Sequence, residues 1–139
     1  MVIGAVEQTF AFIKPDGMSN GHKEAILNQI QARGYKVVRS IEKQLAREEA
    51  ASFYDYHVGQ VYYEQYATFM SSGPVLIMIL EGENIIEGWR EMMGPTNPIK
   101  ARRDAPMSIR AKYGSMTTRN AVHGSSSETS ARRGIDFFF

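Results

Sequence analysis

A chain of 139 residues, 43% hydrophobic and 22% charged, has the length and composition of one soluble domain (1–139) with a real core. A net charge of +1 gives no global field of the kind that marks nucleic-acid or membrane-surface proteins, and the lack of cysteine excludes disulfides and thiolate metal sites. No apolar run approaches the ~20 residues that span a bilayer.

Thr9-Phe10-Ala11-Phe12-Ile13 predicts a buried strand, stopped by Pro15 and Gly17. A helix is expected over about 22–33, with Ile26, Leu27 and Ile30 on one face and Gly34 ending it. Residues 35–45, with Val37, Val38 and Ile41, read as a second strand. Two helical pieces follow, about 47–57 and 62–71, closed by Ser72-Gly73-Pro74. Residues 75–80 form the most apolar run and are expected at the centre of the sheet.

Over 83–93, Ile85, Ile86, Trp89, Met92 and Met93 make one apolar stripe of an amphipathic helix. Residues 94–119 hold three prolines and six basic residues with little periodicity, and read as a long functional loop. A strand over 120–123 and a last helix from about Ser127 close the chain. The order β-α-β-(α)-β-α-β-α predicts an α+β, ferredoxin-like split β-α-β fold: a four-stranded antiparallel sheet covered by helices.

Among the three histidines, only His123 stands where a strand hands over to a polar segment, Gly124-Ser125-Ser126-Ser127. A neutral imidazole there can act as a nucleophile if neighbours hold the electrophile. His22 and His57 form no metal-ligand pattern with each other or with His123. Lys14 ends the first strand and Arg90 follows Trp89, and each alone reads as a surface residue; Arg110 and Asn120 flank the irregular stretch, and alone neither indicates a role. Lys100, Arg102, Arg103, Arg110, Lys112 and Arg119, with Asp104 the one acid among them, favour a polyanion such as a phosphate ester or a nucleic-acid backbone. The glycine-rich signatures of P-loop, protein-kinase and dinucleotide sites are absent.

Taken together, Ile13-Lys14-Pro15-Asp16-Gly17, Ser72-Gly73-Pro74-Val75, Glu81-Gly82, Gly94-Pro95-Thr96-Asn97-Pro98, Ile109-Arg110 and Asn120-Ala121-Val122-His123-Gly124-Ser125 resemble the nucleoside diphosphate kinases, in order and over nearly the whole chain. The resemblance implies phosphoryl exchange between nucleoside tri- and diphosphates through a phosphohistidine on His123. It implies that Lys14 meets the transferring phosphate and the sugar hydroxyl, and that Arg90, Thr96 and Arg110 hold the diphosphate. Asn120 would bind the sugar and Tyr62 would stack on the base, while Tyr54 and Ser125 stand beside the histidine. Magnesium would bridge the phosphates rather than sit in a protein cage. A homo-oligomer, a dimer at least and up to a hexamer, is implied; a membrane or nucleic-acid partner is not.

Three departures accompany the resemblance. The family glutamate on the last helix falls at Gly134; the usual Gly-Ser-Asp-Ser becomes Gly124-Ser125-Ser126-Ser127; and the stretch from Pro98 to Arg110 is about three residues longer than the common form. The chain is thereby most similar to the divergent second group of the family, nearest its subfamily six. Gly134 also supports an alternative, a nucleotide-binding or regulatory member with weakened transfer. An RNA-binding domain of the same topology would need an aromatic-rich strand motif that the chain lacks. The first twelve residues contain no Arg or Lys, which favours the cytoplasm, with mitochondria implied by the subfamily as the second choice.

Overall fold

Alternation at period two along β1 (Val6–Ile13) and β3 (Val75–Glu83) divides the core into two halves. The computed structural model describes residues 5–54, 58–60 and 62–139. Ala11, Ile13, Leu76, Met78 and Leu80 face one half; Phe10, Phe12, Val75 and Ile77 face the other. Ile26 and Ile30 of α2 (Lys23–Ala32) and the apolar stripe of α5 (Ile85–Met93) cover the first. The second lies under α3 (Arg47–Phe53), α4 (Tyr63–Met70) and α8 (Glu128–Phe138).

The sheet runs β2-β3-β1-β4, with β2 spanning Lys36–Lys43 and β4 Val122–Gly124, and every neighbouring pair is antiparallel. This is the ferredoxin-like arrangement expected from the element order. The apolar run from Val75 is central as expected, and β2 is an edge strand exposing Val37, Val38 and Ile41. Among the described residues no helix is long and apolar enough to cross a membrane.

Local differences from expectation have local causes. The stretch 94–119 contains α6 (Pro98–Asp104) and α7 (Ile109–Tyr113). Both are too short for a 3.6-residue period to register, and their caps form them. Asn97 Oδ1 accepts from the Ile99 N–H at 2.9 Å, and Ser108 Oγ accepts from the Ala111 N–H at 3.3 Å. β1 stops before Pro15 as expected, and Pro15 also begins a short α1 (Pro15–Ser19), because its fixed φ suits the first helical turn. The helix expected to reach residue 57 ends at Phe53 with Tyr54 as its cap, and 55–57 lie outside the described residues. Toward the end of the chain, Ser127 Oγ caps α8 by accepting from the Ser130 N–H at 3.1 Å.

Gly134 lets α8 sit directly on β1. A Cβ built there would stand 2.6 Å from Phe10 Cγ and 2.7 Å from its Cδ1, and the Phe10 ring is itself stacked on Phe138 at 5.4 Å. The near end of a buried aromatic ring is what any side chain at 134 would strike, so a glutamate cannot be restored there without moving Phe10. Gly134→Ala is expected to cost about 1–3 kcal/mol of unfolding free energy through overpacking. Equilibrium denaturation checks this; an unchanged midpoint would mean that Phe10 yields freely.

Candidate active site

The site begins with a turn that the backbone alone would not choose. Ala121 has φ +74, and the Val122 N–H reaches back to the Asn120 carbonyl at 2.9 Å, closing a tight γ-turn just before His123. A non-glycine residue in this region is strained, and the surroundings hold it. The Lys14 N–H donates to Ala121 O at 2.8 Å, and Asp16 Oδ2 accepts from the Ala121 N–H at 3.0 Å. Gly17 lies so close that a Cβ there would meet Ala121 O at 2.9 Å. Both polar groups of the strained residue are therefore gripped by the end of β1 and the start of α1.

His123 follows on β4, paired in register with Phe12, and its imidazole stands among aromatic rings. The centroids of Tyr54, Phe12 and Phe53 lie 5.6, 6.0 and 6.4 Å away. From the other layer, the Trp89 indole N–H donates to the His123 carbonyl at 3.4 Å.

A cavity of about 880 Å³ opens at this point. Its wall gathers His123, Tyr54, Ser125 and Tyr62, together with Arg90, Thr96, Arg110 and Asn120. These come from the end of α3, the start of α4, α5 and the segment after it, α7, and β4 with its two flanks. Every site residue expected from sequence except Lys14 thus lines one cavity.

Lys14 stands behind that wall. It is 1% exposed, and its ammonium donates to Thr118 O at 2.7 Å and to Asn120 Oδ1 at 2.8 Å. The same ammonium lies 4.8 Å from the Tyr66 ring centroid and 5.6 Å from that of Phe69, within cation–π range. Burial pulls its pKa down to about 7, with Asp16 opposing the shift and Arg110 adding to it. Asn120 completes its hydrogen bonding by donating to Thr96 O and Thr117 O, both at 2.9 Å, so one amide ties together three segments of the wall.

Arg110 is equally constrained. Its guanidinium donates to Gly94 O at 2.9 Å and Val122 O at 3.0 Å, while its Nε is buried with no partner among the described residues. Burial lowers its pKa to about 10, which leaves it charged at neutral pH. Arg90 is exposed, 3.5 Å from Glu87 one turn earlier. Of the basic cluster read from sequence, Arg110 lines the cavity and the other five do not. Arg102 turns inward to the carbonyls of Ala111 and Gly114, and Arg103 pairs with Asp104 at 2.9 Å.

Asp16, Tyr66 and Trp89 belong to the site and were not singled out from sequence. Asp16 lay inside a quoted motif without a task, because its partner is a backbone N–H 105 residues away. Tyr66 lines the cavity one helical turn after Tyr62, with its ring edge-on to Tyr54 at 4.6 Å; the i, i+4 spacing was its only signal. Trp89 reads as plain core.

The sign of the Lys14 shift predicts a pH effect on stability. Its folded pKa, about 7, is below the unfolded value of 10.5, so between these the unfolded chain binds more protons. Stability therefore rises with pH through that window, and below it the folded state carries the cost of a buried charge. Lys14→Met is expected to flatten this rise in denaturant midpoints measured from pH 7 to about 9; an identical slope in both proteins would contradict the assignment.

Known proteins place this arrangement. A family model described as nucleoside diphosphate kinase matches residues 7–139. The chain is 42% identical over 127 residues to a probable nucleoside diphosphate kinase 5 of Arabidopsis thaliana, covering 91% of this chain and 88% of that one. It is also 42% identical over 134 residues to nucleoside diphosphate kinase 2 of Protochlamydia amoebophila, covering 96% and 92%. A crystal structure of the Aquifex aeolicus nucleoside diphosphate kinase superposes with a TM-score of 0.95 at 39% identity, covering 97% of this chain and 96% of that one. With its motifs gathered around one histidine and its fold superposing on that enzyme from end to end, the chain belongs to the nucleoside diphosphate kinase family.

Proposed function

We propose that this protein is a nucleoside diphosphate kinase working by ping-pong exchange, with His123 carrying the phosphate between two nucleotides. The observation that carries the reading is the placement of His123 on the wall of a cavity shared with Arg90, Arg110 and Asn120. Phosphoryl transfer asks a protein mainly to position groups and to stabilise charge on the moving oxygens. An imidazole nitrogen donates its lone pair to the terminal phosphorus as the bond to the bridging oxygen breaks, and that electron pair leaves on the nucleoside diphosphate. A second diphosphate then reverses the step through its own terminal oxygen.

Arg90, Arg110 and Thr96 meet the phosphates, and Tyr62, 43% exposed at the cavity, offers a ring on which any base can stack. Tyr54 and Ser125 orient the imidazole from the same wall. Lys14 acts mainly through Asn120, which it positions for the sugar, and adds its charge from behind. The phosphate-facing donors are guanidinium and hydroxyl groups, which fit phosphate oxygens rather than a bare cation. Magnesium would accordingly be held by the phosphates, where it neutralises charge on the transferring group.

Incubation with γ-labelled ATP and magnesium is expected to give an acid-labile label, absent from His123→Ala and chased onto added GDP. Wild-type protein that takes up no label at saturating ATP would falsify the kinase reading. Gly134 supports slowed transfer, since an orienting carboxylate is worth roughly 10²–10⁴-fold and position 134 supplies none. A turnover number equal to that of relatives with the glutamate would remove this second reading.

The exposed apolar residues of the β2 edge favour self-association, because an unpaired strand edge is a ready surface for a second copy. Ile41→Lys is expected to reduce the sedimentation coefficient to that of a monomer. Unchanged sedimentation would place the interface elsewhere.

A further inference from the structure

We infer that Trp89 is a positioning residue for phosphoryl transfer, holding the backbone of His123 and Gly124 in place from α5. The inference rests on the reading of His123 as the phosphate carrier. Trp89 is the only tryptophan of the chain and is fully buried. A buried indole N–H needs an acceptor, and here the acceptor is the nucleophile's own carbonyl. The next residue fits only as glycine: a Cβ on Gly124 would stand 2.5 Å from both Cδ1 and Nε1 of Trp89, and 3.0 Å from Met93 Cε. Indole edge and glycine are thus in direct contact at the one place where the strand carries its nucleophile.

Two further features give this contact a task beyond packing. β4 has three residues and, among the described residues, pairs with β1 alone, so the ladder holds it from one side only. The helix that supplies Trp89 also supplies Arg90 to the cavity and ends at Gly94, whose carbonyl accepts from Arg110. One rigid element therefore sets the phosphate-holding guanidiniums and the nucleophile strand in a common frame. In-line transfer depends on placement at the ångström scale, and this frame fixes the distance between the two.

The test uses the full chain and Trp89→Phe, which keeps most of the volume and removes the N–H and the five-membered ring. Single-turnover formation of phosphohistidine from ATP is expected to slow roughly tenfold, while affinity for a nucleoside diphosphate stays within about twofold. Gly124→Ala should reproduce the loss in the wild-type background and cost much less in Trp89→Phe, where the indole edge it strikes is gone. A residue that only fills the core would lower the melting temperature without separating rate from affinity. Wild-type transfer by Trp89→Phe, or an equal cost of Gly124→Ala in both backgrounds, overturns the inference.

A second readout needs no phosphoryl transfer. The His123 imidazole should give one sharp set of ¹⁵N-correlated resonances in the wild type and a broadened or split set in Trp89→Phe. If the wild type takes no label from ATP, the kinase reading falls, and these spectra alone judge Trp89. Identical spectra would reject its positioning role.

Discussion

The clasp between the end of β1 and the start of β4 is the constraint on which the other parts depend. Ala121 carries a backbone twist that costs free energy, and both its N–H and its carbonyl are taken by residues 14 and 16, over a hundred positions earlier in the chain. Lys14 extends the grip by bonding Asn120, and Asn120 passes it to Thr96 and Thr117. The part of the cavity wall around Asn120 is therefore one hydrogen-bonded piece, anchored at the end of β1. A site built this way is tied down beside the histidine and open to solvent at Tyr62.

Much of this was legible in the chain, and the legible parts share a cause. Long elements with a strong period announced themselves: the run from Val75 became the central strand, and the stripe from Ile85 to Met93 became a helix buried on the expected face. The motif residues around His123 were found because short segments with fixed spacing carry them. What stayed hidden depends on cap chemistry or on distant contacts. Helices α6 and α7 arise from Asn97, Pro98 and Ser108, and are too brief for periodicity. Asp16 and Trp89 act through backbone atoms far away in sequence, and no pattern within a window of the chain encodes such pairings.

Charge was the least reliable guide, for a physical reason. Six cations within twenty positions suggested a surface for a polyanion, yet a guanidinium is also the best available partner for carbonyls that short helices leave exposed. Arg102 spends itself in that way, while Arg110, eight positions on, is buried at the cavity with one nitrogen unpartnered. Formal charge counts the two alike; the fold makes one a staple and sets the other in the cavity wall. Gly134 carries a similar lesson. As a missing carboxylate it signals loss, but in the structure it is the position at which a helix touches the Phe10 ring.

Lys14 adds a consequence for the bookkeeping of protons. Burial brings the Lys14 pKa down to about 7, so behind the cavity wall this ammonium stands close to losing its proton at neutral pH. A polyphosphate bound in the cavity would favour the ammonium form, so its binding would draw a proton from the solvent. Its departure would return the proton, and each exchange of one such anion for another would leave the proton count where it began. Such a site would owe part of its positive charge to the arrival of its own ligand.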